Sequence, residues 1–248
     1  MPESVVDRRG TKPPGTSSES EASRRVREMF GRIAPRYDLL NHVLSLQIDR
    51  LWRRRAARRV REILQRKDAL VLDLCCGTGD LGLALRAAGR ARVLGADFTH
   101  GMLQLARKKA GQQISFAEAD ALRLPFADCR FDLVATAFGF RNLSNYSAGL
   151  REILRVLKPG GTLAILEFTE PGKGFLAGIY RWYFRHVLPR IGGLISGDSY
   201  AYSYLPSSVA GFFEASELAR SMEENGFVGV SYERWTGGAL ALHLGRRP

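Results

Sequence analysis

Two carboxylates, Asp73 and Asp80, stand on either side of a glycine turn, Gly77-Thr78-Gly79, within the stretch Leu70–Gly82 (LVLDLCCGTGDLG). Glycines let a backbone come close to a ligand, and the start of a following helix offers free N–H groups. Gly77, Gly79 and Gly82 satisfy the spacing G-x-G-x-x-G, which serves dinucleotides and other adenosine-containing cofactors alike. The carboxylates discriminate between them. An anionic pyrophosphate is repelled beside Asp73 and Asp80, which disfavours a nicotinamide-dependent oxidoreductase. A third acid, Asp97, lies about 20 positions beyond Gly77, where a carboxylate can accept hydrogen bonds from both ribose hydroxyls. A metal is not expected, because the three cysteines, Cys75, Cys76 and Cys129, have no metal-ligand spacing.

These groups need a scaffold that brings strand ends together. Val71, Leu72 and Leu74 read as a short buried parallel strand, and Leu81–Ala88 as the helix after the turn. The alternation continues with strands at Ala91–Asp97, Ile114–Ala119, Phe131–Phe138 and Thr162–Phe168, and helices at Gly101–Ala110 and Ser147–Leu157. Lys158-Pro159-Gly160-Gly161 reads as a helix stop and turn. A helix at Glu214–Asn225 and two strands, Val228–Trp235 and Ala239–Gly245, close the chain around a Gly237-Gly238 turn. Strands alternating with helices specify an α/β fold with a mostly parallel sheet. Open sheets of this kind bind ligands at the carboxyl ends of their strands. S-adenosylmethionine has no phosphate and carries an ammonium and a sulfonium, so it suits the acidic turn better than a dinucleotide does.

The 248 residues are 45% hydrophobic, enough for one catalytic-size domain with an appendage. Residues 1–23 are rich in Ser, Glu, Pro and Gly, show no apolar periodicity or signal-type apolar run, and read as a disordered tail. Val26, Met29, Phe30 and Ile33 have helical spacing until Pro35 interrupts. Asp49–Lys67 reads as a second helix, with Trp52, Ala56, Val60 and Ile63/Leu64 on one stripe and Arg53, Arg54, Arg55, Arg58, Arg59 and Arg61 forming a solvated basic face. The net charge of +12 suits an anionic partner, nucleic acid or lipid. No RNP-like signature or zinc spacing accompanies it, so nucleic acid is not expected. The cysteine usage fits a reducing cytoplasm. Pro171–Phe213 is long for a connection and rich in aromatics, and such segments are usually functional. Arg181, Arg185, His186 and Arg190 interrupt its apolar run, so it reads as a lid or interfacial helix and not as a membrane span.

The glycine-turn stretch resembles motif I of the class I S-adenosylmethionine-dependent methyltransferases, whose Rossmann-like sheet carries helices on both faces. Four further stretches resemble the ubiquinone/menaquinone biosynthesis C-methyltransferase family. They are Tyr37-Asp38-Leu39-Leu40-Asn41 followed by Ser45 and Trp52, then Phe138–Asn142 (FGFRN), Arg155–Thr169 (RVLKPGGTLAILEFT) and Tyr202–Ser208 (YSYLPSS). The chain departs from that pattern at Asp49, where the family usually has histidine, and at Thr169, where it usually has serine. The resemblance spans roughly Val26 to Gly245.

That resemblance implies S-adenosylmethionine as cofactor, held by Asp73, Gly77, Thr78, Gly79 and Asp97, with Asp120-Ala121 at the adenine. It implies methyl transfer to a ring carbon of a prenylated quinol. Ubiquinone-pathway members use a serine at the place of Ala137, so alanine there favours the menaquinone branch, with the ubiquinone precursor or both quinols as the alternative. Arg141 is the candidate catalytic residue, stabilising a developing phenolate or orienting a proton-accepting water. Tyr37, His186, Tyr202 and Tyr204 are the candidate contacts to the quinol. A quinol tail that stays in lipid implies peripheral contact with the cytoplasmic face of an anionic membrane, through the arginine face or the aromatic segment.

Overall fold

The computed structural model describes residues 10–45, 47–169, 204 and 207–248, with the side chains of 39–44 left aside. His186, Tyr202 and most of the expected lid, 171–213, lie outside the described residues.

The chain order is α1 (Glu19–Leu44), α2 (Ile48–Arg59), α3 (Arg61–Gln65), β1 (Leu70–Leu74), α4 (Asp80–Ala87), β2 (Arg92–Asp97), α5 (His100–Ala110), β3 (Ser115–Glu118), β4 (Phe131–Ala137), α6 (Tyr146–Val156), β5 (Leu157–Phe168), α7 (Ala215–Glu224), β6 (Val228–Trp235) and β7 (Leu240–Arg246). The seven strands are ordered β3-β2-β1-β4-β5-β7-β6. The first five pair in parallel, and β7 runs antiparallel to both β5 and β6. The order reverses between β1 and β4. That is the switch point at which the strand ends splay and leave a crevice.

Strand alternation sorts the core into two layers. Leu72 and Leu74 face α6 and α7, packing with Leu150, Ile153, Leu218 and Met222. Val71, Val93 and Leu133 face the other way, onto Ala56, Val60, Leu64, Leu81 and Leu85 of α2, α3 and α4. Helices therefore cover both faces. The expected stripe on the second helix is this contact, although the helix breaks at Val60 (φ −110°, ψ 18°) into α2 and α3.

Three expectations change. Helix α1 does not stop at Pro35 but runs through it. Proline removes one helical bond, but Gly31 and Pro35 are both exposed, so the orphaned carbonyl faces water, while buried Val26, Met29, Ile33 and Ala34 hold the helix to the domain. The disordered tail expected over residues 1–23 is revised over residues 10–23, residues 1–9 lying outside the described residues. Helix α1 starts at Glu19, and the Gly10 and Thr11 N–H groups donate to the Ser144 and Leu143 carbonyls at 3.1 and 2.8 Å. Backbone pairing of this kind carries no apolar periodicity. Finally, Lys158–Gly161 is less a turn than a loop-out within β5. Phe131 pairs with Leu157 and Leu133 with Thr162, so four residues are accommodated, with Gly160 at φ +73°.

Candidate active site

A cleft opens at the carboxyl ends of β1, β2 and β4. Gly77 (φ +54°) and Gly79 (φ +87°) sit in the left-handed region, which lets the chain turn abruptly from β1 into α4. A Cβ on Gly79 would meet the Phe116 ring at 3.3 Å, so glycine is also the residue that fits. Across the switch point, a Cβ on Gly139 would meet the Cys75 Cβ at 2.5 Å, so the ends of β1 and β4 press together there. Cys75 (φ +55°) and Phe138 (φ +61°) take positive φ without being glycine, each at a cost of about 1–3 kcal/mol.

The carboxylates meet in this cleft. Asp97 Oδ2 accepts from the Gly77 N–H and Oδ1 from the Thr99 N–H, both at 2.8 Å. Asp97 thereby ties β2 to the turn, and burial raises its pKa above the usual value. Asp73 Oδ2 accepts from the Gly82 N–H at 2.7 Å, whereas Oδ1 is buried with no partner among the described residues. Burial pushes the Asp73 pKa up to about 8, against the pull of the Gly82 N–H and of the Arg53 guanidinium. A buried carboxylate oxygen without a donor is costly unless a ligand supplies one. An ammonium group does so, and the cofactor inferred from the sequence carries one. Asp120 Oδ1 accepts from the Leu122 N–H at 2.9 Å, and Asp120 and Ala121 both line the cleft.

Thr78 and Asp80 are more engaged than the sequence suggests. The Thr78 hydroxyl donates to Asp38 and accepts from Lys109 Nζ at 3.1 Å, and Lys109 also pairs with Asp80 at 2.7 Å and with Asp38. This cluster clamps α1 and α5 onto the glycine turn. Asp80 is therefore a paired acid, its charge offset by Lys109.

Arg141, in the short 3-10 turn Phe140–Asn142, is 5% exposed. Its Nη1 donates to Glu167 Oε1 at 2.8 Å and to the Phe138 carbonyl, and its Nε reaches Ser208 Oγ at 3.4 Å. The guanidinium lies beneath the cleft wall and is absent from the lining. Tyr37 lines the cleft, packed edge-on against Phe30 with ring centroids 6.0 Å apart. Tyr204 is buried, and its hydroxyl meets Asn142 Oδ1 at 3.0 Å and Thr11 Oγ1 at 3.1 Å. Tyr37 and Tyr204 are near enough to Arg141 to raise its pKa, alongside Glu167.

The arginine face of the second helix divides. Arg53 is not solvated. It is buried beside Asp49, stands 5.1 Å from the Phe138 ring centre and lines the cleft. Arg55 and Arg59 pair with Glu233, and Arg55 also lies 4.3 Å from the Trp235 ring. Arg50, Arg54, Arg58 and Arg61 face a shallow outer groove. The missed residues are Asp49, Arg53, Lys109 and Glu167. Only Arg53 left a signal, being four residues before Ala57 and seven before Val60 on the buried stripe.

A model of the ubiE/COQ5 methyltransferase family matches residues 18–247. The chain is 48% identical over 236 residues to a demethylmenaquinone methyltransferase of Deinococcus radiodurans, covering 94% of this chain and 96% of that one. It is 52% identical over 225 residues to one of Thermus thermophilus, covering 89% and 100%. A ubiquinone/menaquinone biosynthesis C-methyltransferase of Syntrophotalea carbinolica is 47% identical over 226 residues, covering 90% and 94%. Among solved structures, a SAM-dependent methyltransferase of Thermotoga maritima superposes with a TM-score of 0.63 at 19% identity, covering 90% of this chain and 100% of that one, which speaks for the class I fold alone. With the family model spanning all but the ends of the sequence, and the glycine turn, strand-end acids and closing hairpin in place, the chain belongs to the ubiE/COQ5 methyltransferase family.

Proposed function

We propose that this protein transfers a methyl group from S-adenosylmethionine to a ring carbon of demethylmenaquinol, giving menaquinol. The observation that carries the reading is the buried, partnerless Asp73 Oδ1 at the glycine turn, in a chain 48% and 52% identical to two enzymes named for this substrate.

When bound, the cofactor supplies an electrophilic methyl on its sulfonium. Asp73 would hold its ammonium, Asp97 its ribose, and Asp120-Ala121 its adenine, with Gly77 and Gly79 giving close backbone approach and Thr78 bracing the turn. Holding the reactants aligned is itself a large share of the barrier reduction. The remaining task is to draw the quinol hydroxyl towards phenolate. Arg141 serves this through its field and not by contact, since Glu167 and the Phe138 carbonyl hold its guanidinium in place. Tyr37 meets the ring at the cleft wall, with Tyr204 fixing the Asn142 side and His186 and Tyr202 as further candidates. Incubation with labelled S-adenosylmethionine and reduced demethylmenaquinone is expected to label one ring carbon. Labelling of a methoxy-polyprenyl-benzoquinol instead would overturn the assignment in favour of the ubiquinone precursor, and relatives named for both pathways keep that comparison sharp.

Among the described residues no helix is long and apolar enough to cross a membrane. We infer that contact with an anionic membrane surface falls on the outer side of α2, a reading supported by exposed Leu51 (60%) and Ile48 (37%) on the same helix as Arg50, Arg54 and Arg58. Each such arginine is worth about 1 kcal/mol near an anionic surface. Arg54→Gln with Arg58→Gln is expected to weaken sedimentation with anionic vesicles by about 2 kcal/mol, more in low salt than in high. Arg55→Gln with Arg59→Gln should weaken it less, since both arginines lie against Glu233. No loss from Arg54→Gln with Arg58→Gln would remove this face of α2 from the interface.

A further inference from the structure

Arg53 is the single cationic side chain among the described residues that line the cleft, and four carboxylates, Asp73, Asp80, Asp97 and Asp120, line it too. Any anionic group placed there has one favourable partner. Arg53 sits on the glycine-turn side, close enough to Asp73 to stabilise its charge. Asp49, four residues earlier on the same helix and itself accepting from Ser45 Oγ at 2.7 Å, holds one guanidinium nitrogen. Among the described residues Asp49 is the one hydrogen-bond partner of Arg53, so the other edge of the planar fork is left for a ligand. The Phe138 ring, itself 4.8 Å from the Phe168 ring, backs that fork.

We propose that Arg53 binds the carboxylate of the amino-acid end of S-adenosylmethionine, next to Asp73 and its ammonium, with Asp49 as the positioning residue that fixes the guanidinium. This rests on the cofactor reading given above. The ammonium and carboxylate of an α-amino acid leave the same carbon, so the groups that read them must be neighbours of opposite charge, as Asp73 and Arg53 are. The guanidinium fork matches a carboxylate in plane and offers two parallel donors. Without Arg53, a cofactor carboxylate would have no cationic side chain to meet it among the described residues that line the cleft.

Calorimetric titration of the full-length protein with S-adenosylmethionine and with decarboxylated S-adenosylmethionine separates the alternatives without measuring turnover. Wild type is expected to bind the decarboxylated form roughly 10- to 100-fold more weakly, the range for hydrogen bonds to a charged group. Arg53→Gln should lose roughly the same factor for S-adenosylmethionine and less than about threefold for the decarboxylated form. Asp49→Asn should give a smaller loss with the same selectivity. If wild type binds both ligands equally, or Arg53→Gln weakens both equally, or weakens neither while turnover falls, Arg53 does not read the carboxylate. Should Arg53→Gln fail to fold, Arg53→Lys keeps the charge and loses the fork, and is expected to show a partial loss confined to S-adenosylmethionine; no loss, or an equal loss for both ligands, overturns the proposal. No binding of S-adenosylmethionine to folded wild type would instead overturn the cofactor reading itself.

Discussion

Two buried arginines flank one aromatic pair, and they are used differently. Arg53 packs on Phe138 at 5.1 Å and Arg141 on Phe168 at 5.7 Å, with the two rings 4.8 Å apart between them. Arg141 is tied across the fold to Glu167, a fully buried carboxylate, and also donates to the Phe138 carbonyl and to Ser208. Arg53 has a local partner one helical turn away and a face on the cleft. The same contrast runs through the two regions. On the β4–β5 side, Tyr146 OH donates to the Arg141 carbonyl and Phe168 N–H donates to Glu167, so the network closes on itself. On the glycine-turn side, Asp73 Oδ1 is left open. A buried cation tied across the fold to a buried carboxylate is held behind the cleft wall, whereas one with a local partner and a face on the cleft is available to a ligand.

The largest expected effect comes from breaking the saturated side. Glu167→Ala leaves the Arg141 charge buried and unpaired, and should destabilise the protein by about 3–5 kcal/mol in urea denaturation. Glu167→Leu combined with Arg141→Met should cost clearly less than Glu167→Ala alone. A double variant as unstable as the single one would mean that packing, not the ion pair, holds the turn.

On the open side, Asp97→Ala should weaken S-adenosylmethionine binding by about 1.5–3 kcal/mol. Because Asp97 also holds the Gly77 and Thr99 N–H groups, some stability goes with it, contrary to what its strand-end position in the sequence implies. Normal cofactor binding would remove it from the site.

Asp73 gives a pH signature of intermediate size. Its folded pKa, about 8, stands above its ordinary value of 3.8, so between these the folded state binds the extra proton. The stability of the cofactor-free protein should therefore fall as pH rises from 4 to 8, by up to about 1.4 kcal/mol per pH unit. Asp73→Asn should flatten that slope, and saturating cofactor should do the same. A slope unchanged by the substitution would show that Asp73 titrates normally.

The smallest effect belongs to the β4–β5 side again. Asn145 caps α6 by accepting from the Ala148 N–H at 2.9 Å. Asn145→Ala should lower stability by about 1 kcal/mol and leave cofactor affinity unchanged. A change in affinity would mean the two regions are coupled.

What the sequence displayed were features governed by local rules. The glycine turn, the buried parallel strands and the stripe of Trp52, Ala56 and Val60 follow from backbone sterics and periodicity, and each is found in place. The acids at strand ends were legible for the same reason. Long-range polar pairing was not. Nothing near Glu167 in sequence signals Arg141 as its partner, and nothing near Lys109 signals Asp38. Arg53 shares the charge of the solvated arginines around it, yet its spacing to Ala57 and Val60 puts it on the buried side. The helix through Pro35 and the docking of Gly10 and Thr11 were hidden because tertiary contacts decide them.

The hydrogen bond between Thr11 and Tyr204 joins positions 193 residues apart, and Tyr204 in turn reaches Asn142. Made from the N-terminus onward, the chain completes its parallel strands long before residue 204 exists. Closing so long a loop is entropically slow, so this corner of the cleft forms after the sheet that supports it. A chain stalled in synthesis just short of Tyr204 would hold the glycine turn and its acids but an unfinished rim. The time at which the protein becomes competent is therefore set by the last third of its translation and not by the motif near its start.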